Sequence, residues 1–218
     1  MLPFIEILAT LAEGVAYTVW VTVVCSVTGV GVGLTVVALR KLEISSLTIF
    51  LDVFTYVFRA VPLLVMLFIV YFGFPSLGVK LSPLLAMVLS LGVIAGAYLG
   101  EVYRGALQAV DDHEILAAQS MGFNRWQILL LIEFPQMLRF SFPGMVNEFT
   151  TVLKYSPFAY TVGMPEITKQ AMALTGVTNQ GIEIYLAAGL LYFAIYRILL
   201  LALQAVENYW RIPGMKPL

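Results

Sequence analysis

Four polar residues, Asn147, Glu148, Thr151 and Lys154, stand inside a stretch otherwise apolar enough for lipid. Gly144, then Asn147 or Glu148, then Thr151 and Lys154 recur every three or four positions, so in a helix they share one face. An amide, a carboxylate, a hydroxyl and an ammonium on one face provide groups of both signs, which a zwitterionic solute requires. The competing reading is that these groups satisfy one another at a subunit interface. Glu101 and Arg104, three apart in another apolar run, can pair on one helix face, and a structural ion pair is the favoured reading there. Arg59, near the start of a third run, can reach back to lipid headgroups. Ionisable groups in lipid are costly, so each is a candidate for the lining of a path across the membrane.

Other chemistries find no residues. His113 is the only histidine and Cys25 the only cysteine in 218 residues. That argues against a histidine metal cluster and leaves no partner for a disulfide. No aspartate pair at membrane depth, no H-E-x-x-H and no plausible serine–histidine pair point to an intramembrane enzyme. The phosphate-binding pattern G-x-x-x-x-G-K-[ST] is missing, so no nucleotide site is expected in this chain. A net charge of −1 provides no attraction for nucleic acid. The expectation is no catalytic residue, no metal and no cofactor.

The elements that must carry these residues are membrane spans. The chain is 61% hydrophobic and 11% charged, far from the roughly 25% charged of soluble domains. A span needs about 20 mostly apolar residues. Five stretches qualify: about Tyr17–Leu39, Val53–Phe74, Leu84–Ala106, Phe140–Val162 and Ile184–Val206. The fold class expected is therefore all-α and polytopic, one transmembrane domain over the whole chain. Residues 1–13 lack the basic start and cleavage site of a signal peptide and read as a short amphipathic surface helix. Tyr103, Trp126, Tyr155, Tyr160, Tyr209 and Trp210 near proposed span ends fit interfacial anchoring. Gly92, Gly96 and Gly100 form a small-xxx-small stripe that packs either within the subunit or between subunits.

Lys and Arg set the orientation. With the N-terminus outside, the cytoplasmic side collects Arg40, Lys41, Arg59, Arg104, Arg125, Arg139, Arg197, Arg211 and Lys216, against Lys80, Lys154 and Lys169 opposite. The block Asp111–Pro135 then lies in the cytoplasm. Asp111 and Asp112 fit a helix start and Gly122 a helix stop. Asn124 with Gln127 resembles a capping box opening a second helix, which Pro135 interrupts or ends. Two short helices joined by a glycine make a compact handle for a soluble partner.

The handle also carries a family resemblance. Ala117-Ala118, three further residues and Gly122, then Ile132 and Pro135, resemble the EAA loop of ABC importer permeases, E-A-A-x-x-x-G followed by I-x-x-P. Arg139 and the segment Pro143 to Glu148 continue the likeness. Arg59-Ala-Val-Pro-Leu-Leu-Val resembles the R-G-T-P-L-L-V of the polar amino acid subfamily, whose permeases serve histidine, glutamine, arginine and opines. Gly96-Ala-Tyr-Leu-Gly-Glu-Val-Tyr-Arg-Gly-Ala resembles its G-A-Y-x-x-E-x-x-R-G-A, and Lys154-Tyr-Ser-Pro-Phe stands where it has K-D-T-S-L. The likeness runs from about Gly14 to Glu207.

It implies a type I importer permease in the bacterial inner membrane, with the N-terminus outside and the C-terminus cytoplasmic. The implied partners are an ATP-binding subunit dimer holding the ATP and magnesium, a second permease subunit, an external amino-acid-binding protein and the amino acid itself. Glu114, Leu116, Ala117, Ala118, Gly122, Phe123 and Arg125 become the ATPase-coupling residues. One departure stands out: the family glutamate falls on Leu116. Glu114, two residues earlier, lies about 200° around the helix. Either the ATPase contact is mainly apolar here, or a second, different permease supplies the acidic contact. The heteromeric reading is preferred, because asymmetry is tolerable when the partner is not identical. An autonomous channel or secondary transporter is the alternative, but it has no use for an ATPase dock.

Overall fold

Each apolar run folds as helix, and there is no strand among the described residues. The computed structural model describes residues 2–210, without the side chains of residues 209 and 210. Arg211, Lys216 and the C-terminus, counted above for orientation, lie outside the described residues, as do the Tyr209 and Trp210 side chains.

The expected surface helix is α1 (Phe4–Ala12). Its Ile7 and Leu11, four apart, are fully buried against α10 (Ile167–Thr178) and α11 (Gly181–Trp210). The backbone N–H of Leu2 donates to the Gln180 side chain at 2.7 Å, closing this end of the bundle.

At the centre, α2 (Val15–Arg40) lies along a rod formed by α5 (Pro83–Met87), a π turn and α6 (Val93–Gln108). The glycine stripe makes that contact. A Cβ placed on Gly96 would sit 2.4 Å from Val32 Cβ, and Gly92 and Gly100 meet Thr28 and Val36. From the other side, Gly29 and Gly33 meet Ala95 and Leu99. Of the two placements open in the sequence, the stripe takes the one within the subunit. Lipid provides no hydrophobic drive between helices, so close backbone approach and dispersion hold this pair. Thr18, Thr22, Thr28 and Thr55 each donate to the carbonyl four residues back, which satisfies their hydroxyls without a partner helix.

The second expected span, Val53–Phe74, is not one straight helix. α3 (Ser45–Ala60) and α4 (Leu63–Phe68), the latter continued by tighter and wider turns to Leu77, are bent by 103°. Pro62 causes the break. It has no N–H to donate, and it drives Val61 to φ −79°, ψ 127°.

Pro135 does not end its helix. α7 (Asp112–Ser120) stops at Gly122, and α8 (Arg125–Ile128) runs through a π turn, Leu129–Glu133, into α9 (Phe134–Tyr155). The widened turn just ahead of Pro135 relieves the clash its ring would make with the carbonyl four residues back. α9 gives way to a 3₁₀ segment, Ser156–Val162, at Pro157, so the fourth helix lies closer to the N-terminus than Phe140–Val162. Tyr103, expected at the lipid interface, is instead wholly buried with Val37, Leu99 and Met137, because its α6 face is turned towards α2 and α9.

By length and composition three of the described helices suit a bilayer: α2, the α5–α6 rod and α11, or four if the bent pair counts as one. α9 is long enough, at 22 residues or about 33 Å, but carries Arg139, Glu148 and Lys154. Only 11% of the apolar window of α11 is buried, so most of that helix is left for lipid or another chain.

Candidate functional site

The handle is built by local rules. Asp111 accepts from the His113 N–H at 2.9 Å and opens α7, with Asp112 and Glu114 in its first turn where the helix dipole favours them. Gly122 closes it at φ +85°, in the left-handed region where a Cβ is strained. Asn124 and Gln127 then form the reciprocal capping box of α8, at 2.9 and 2.8 Å.

Of the residues assigned to coupling, Leu116 and Ala117 face outward, and Leu116 is 56% exposed. Ala118 is buried inward, and Phe123 is partly exposed beside a cavity of about 990 Å³ between the handle and the end of α2. Glu114 is engaged by Gln136 Nε2 of α9 at 2.5 Å. Arg125 is engaged by Glu43 at 2.5 Å and by the Lys41 carbonyl at 3.2 Å. Both charges are thus tied to the body of the chain, while Leu116 and Met121 stand exposed among the polar Asp112, His113, Gln119 and Ser120, and Trp126 is exposed at the mouth of the cavity. The sequence gives Met121 no role and Trp126 only an interfacial one, because an exposed apolar residue cannot be told from a buried one by its type.

The candidate path residues fall into three groups. Glu101 belongs to an ion cluster near the handle. It accepts from Arg104 at 2.7 and 3.1 Å and from Arg40 at 3.4 Å, and Arg40 also pairs with Asp52 at 2.6 Å. The expected Glu101–Arg104 pair is therefore present, within a larger cluster. Arg59, in the last turn of α3, stacks 5.0 Å over the Tyr98 ring and lies within electrostatic range of both Glu101 and Glu148. Glu148 is buried, and Gly144, one turn before it, packs on Val102 of α6.

Asn147, Thr151 and Lys154 lie on the neighbouring, more open face of α9. The Thr151 hydroxyl is satisfied by the Asn147 carbonyl at 2.9 Å, and the Lys154 ammonium sits 5.6 Å from the Tyr196 ring. The expected stripe is one helix face with two halves, a buried carboxylate beside an exposed amide, hydroxyl and ammonium.

Sequence reasoning missed Glu166. It is fully buried in the turn before α10, where it accepts from the Thr168 and Lys169 N–H groups at 2.8 Å and from the Tyr192 hydroxyl at 2.5 Å. Burial pushes its carboxyl above the ordinary glutamate value of 4.5, against the pull of those bonds. The signal was available: Glu166 immediately precedes a helical pattern and can act as its cap.

Known proteins match most of the chain. Residues 29–211 match the sequence family described as the binding-protein-dependent transport system inner membrane component. The probable glutamine ABC transporter permease protein GlnP of Bacillus subtilis (strain 168) is 32% identical over 93% of this chain and 94% of its own. The arginine transport system permease protein ArtQ of the same organism is 31% identical over 90% of each. A crystal structure of an amino acid ABC transporter with histidines superposes with a TM-score of 0.87 at 26% identity, covering 96% of this chain and 99% of that one.

Proposed function

This chain belongs to the family of binding-protein-dependent transport system inner membrane components, and we propose that it is half of the translocation path of a polar amino acid importer. Members of that family are membrane permeases rather than enzymes, and ATP hydrolysis resides in a separate subunit. The proposal adds five spans, with α9 as the fourth and the bent α3–α4 pair as the second. The N-terminus lies outside, the C-terminus in the cytoplasm, and the handle at Asp111–Pro135 on the cytoplasmic side. Arg40, Lys41, Arg104 and Arg125 gather at the handle end of the bundle, whereas Lys169 lies at the other end, and this supports that orientation.

The observation that carries the coupling role is the double-capped handle with Leu116, Met121 and Trp126 exposed, and with Glu114 and Arg125 held by Gln136 and Glu43 of the body. Such a surface fits an apolar groove on an ATPase dimer. Substrate delivered by an external binding protein would meet Asn147, Glu148, Thr151 and Lys154, with Arg59 near the carboxylate, and Glu101 would brace the cytoplasmic end. A second, different permease completes the path, since one chain leaves α11 and the open face of α9 uncovered. ATP and magnesium stay with the partner.

Purification in mild detergent tests this directly. An ATPase subunit is expected to co-elute, with turnover that rises when binding protein and amino acid are added. Gly122→Asp is expected to abolish that stimulation while the chain still inserts, because the side chain strains the φ +85° turn and charges the dock. Undiminished association and uptake in that variant would remove the docking role.

A further inference from the structure

The turn between α2 and α3 carries three charged residues that diverge to different elements. Arg40 reaches inward, to Asp52 of α3 at 2.6 Å and to Glu101 of α6 at 3.4 Å. Lys41 reaches the π turn that links the handle to α9, pairing with Glu133 at 2.7 Å. Glu43 reaches the handle itself through Arg125. Glu43 does this from φ +56°, a left-handed conformation that side chains with a Cβ rarely adopt. Backbone strain persists where surrounding interactions over-determine it, and here the Arg125 pair and the Arg125 bond to the Lys41 carbonyl provide that determination.

These pairs bridge a gap between the handle and this turn. Between them lies the 990 Å³ cavity, lined mainly by apolar side chains. A second cavity of about 390 Å³ separates the turn from the first residues of α7. A handle held across open space by discrete ion pairs can tilt as a unit, and the pairs transmit the tilt. Arg40 is suited to pass it on. It grips two helices at once, through Nη1 to Asp52 and Nη2 to Glu101, and its Nε is buried without a partner.

We propose that the Arg40–Glu43 turn is a second coupling element, which passes movement of the handle through Lys41 and Glu43 to α2, and through Arg40 to α3 and α6. The last turn of α3 holds Arg59, which stacks on Tyr98 of α6 and lies within electrostatic range of Glu148, so the relay leads towards the candidate path. Its residues are positioning residues that touch neither ATP nor the amino acid. The inference rests on the handle being the ATPase dock.

The test uses the intact importer in liposomes, with ATPase association, ATP turnover and amino-acid uptake measured on the same preparations. Lys41→Glu is expected to keep ATPase association and to lower uptake per ATP hydrolysed about tenfold. The exchange Lys41→Glu with Glu133→Lys is expected to restore that ratio to within about twofold. A purely structural pair would change the amount of assembled complex, not the ratio. Wild-type coupling in Lys41→Glu, or no rescue by the exchange in assembled complex, overturns the relay. If Lys41→Glu does not accumulate in the membrane, Lys41→Gln with Glu133→Gln takes its place, with the same loss expected and wild-type coupling again overturning the relay. Leu116→Asp, run in parallel, reports on the dock alone: retained ATPase association there removes the dock whatever Lys41 does.

Discussion

Glu166 shows how much one residue can organise when it is buried with its partners. It caps α10, holds the Tyr192 hydroxyl and sits where Gly14 of the α1–α2 junction leaves no room for a Cβ, 2.5 Å from the Ile167 backbone. Its carboxyl is pushed up by burial, so folding favours the protonated form. The resulting contribution to stability is fully present below the ordinary value of 4.5 and is lost as pH rises through the raised value. The thermal midpoint of the detergent-solubilised protein is therefore expected to fall as pH rises from the ordinary value through the raised one, and to level off above it. Glu166→Gln cannot ionise and is expected to flatten this slope. An unchanged slope in the variant would place the titration elsewhere. Loss of the cap altogether, in Glu166→Ala, is expected to cost about 1–3 kcal/mol.

At the scale of elements, the α2–α6 pair is the firmest prediction. Gly96 has Val32 against its missing Cβ, whereas Gly105, on the same helix, has nothing within 4 Å. Gly96→Leu is expected to destabilise the bundle by about 1–3 kcal/mol or more by overpacking. Gly105→Leu is expected to be tolerated, as read by the amount of folded protein after detergent extraction. Both changes raise helix propensity, so equal loss in both would mean that the α2 contact does not govern the stripe. Elements also explain where proline acts and where it does not. Pro62 breaks its helix because the chain can turn at Val61, whereas Pro135 is absorbed by a π turn inside a continuous helix. The residue type is identical, and the neighbouring turn decides the outcome.

For the whole molecule, the unfinished surface is the informative feature. α11 buries little of its apolar length, and Asn147 and Lys154 of α9 are exposed on a helix that also carries the buried Glu148. A polar face open to lipid is costly, so a second chain is expected to cover it. Expressed without a second permease, this chain is expected to insert but to give no substrate-stimulated ATPase turnover. Co-expression with a different permease is expected to restore it. Full stimulation from this chain alone would establish a homodimer and leave Leu116 as the contact in both copies.

Short-range physics was legible in the order of residues. Apolar length gave the helices, Asp111, Gly122 and the Asn124–Gln127 box gave the handle its ends, and the i, i+3 spacing of Glu101 and Arg104 gave their pair. These depend on groups within one turn of each other, so spacing alone specifies them. Tertiary structure decided what depends on distant neighbours. It turned the glycine stripe towards α2, buried Tyr103, tied Glu114 to Gln136, and brought Lys41 to Glu133 across 92 positions of chain. Which side of a helix meets which partner is set by packing the whole bundle, and no local pattern encodes it.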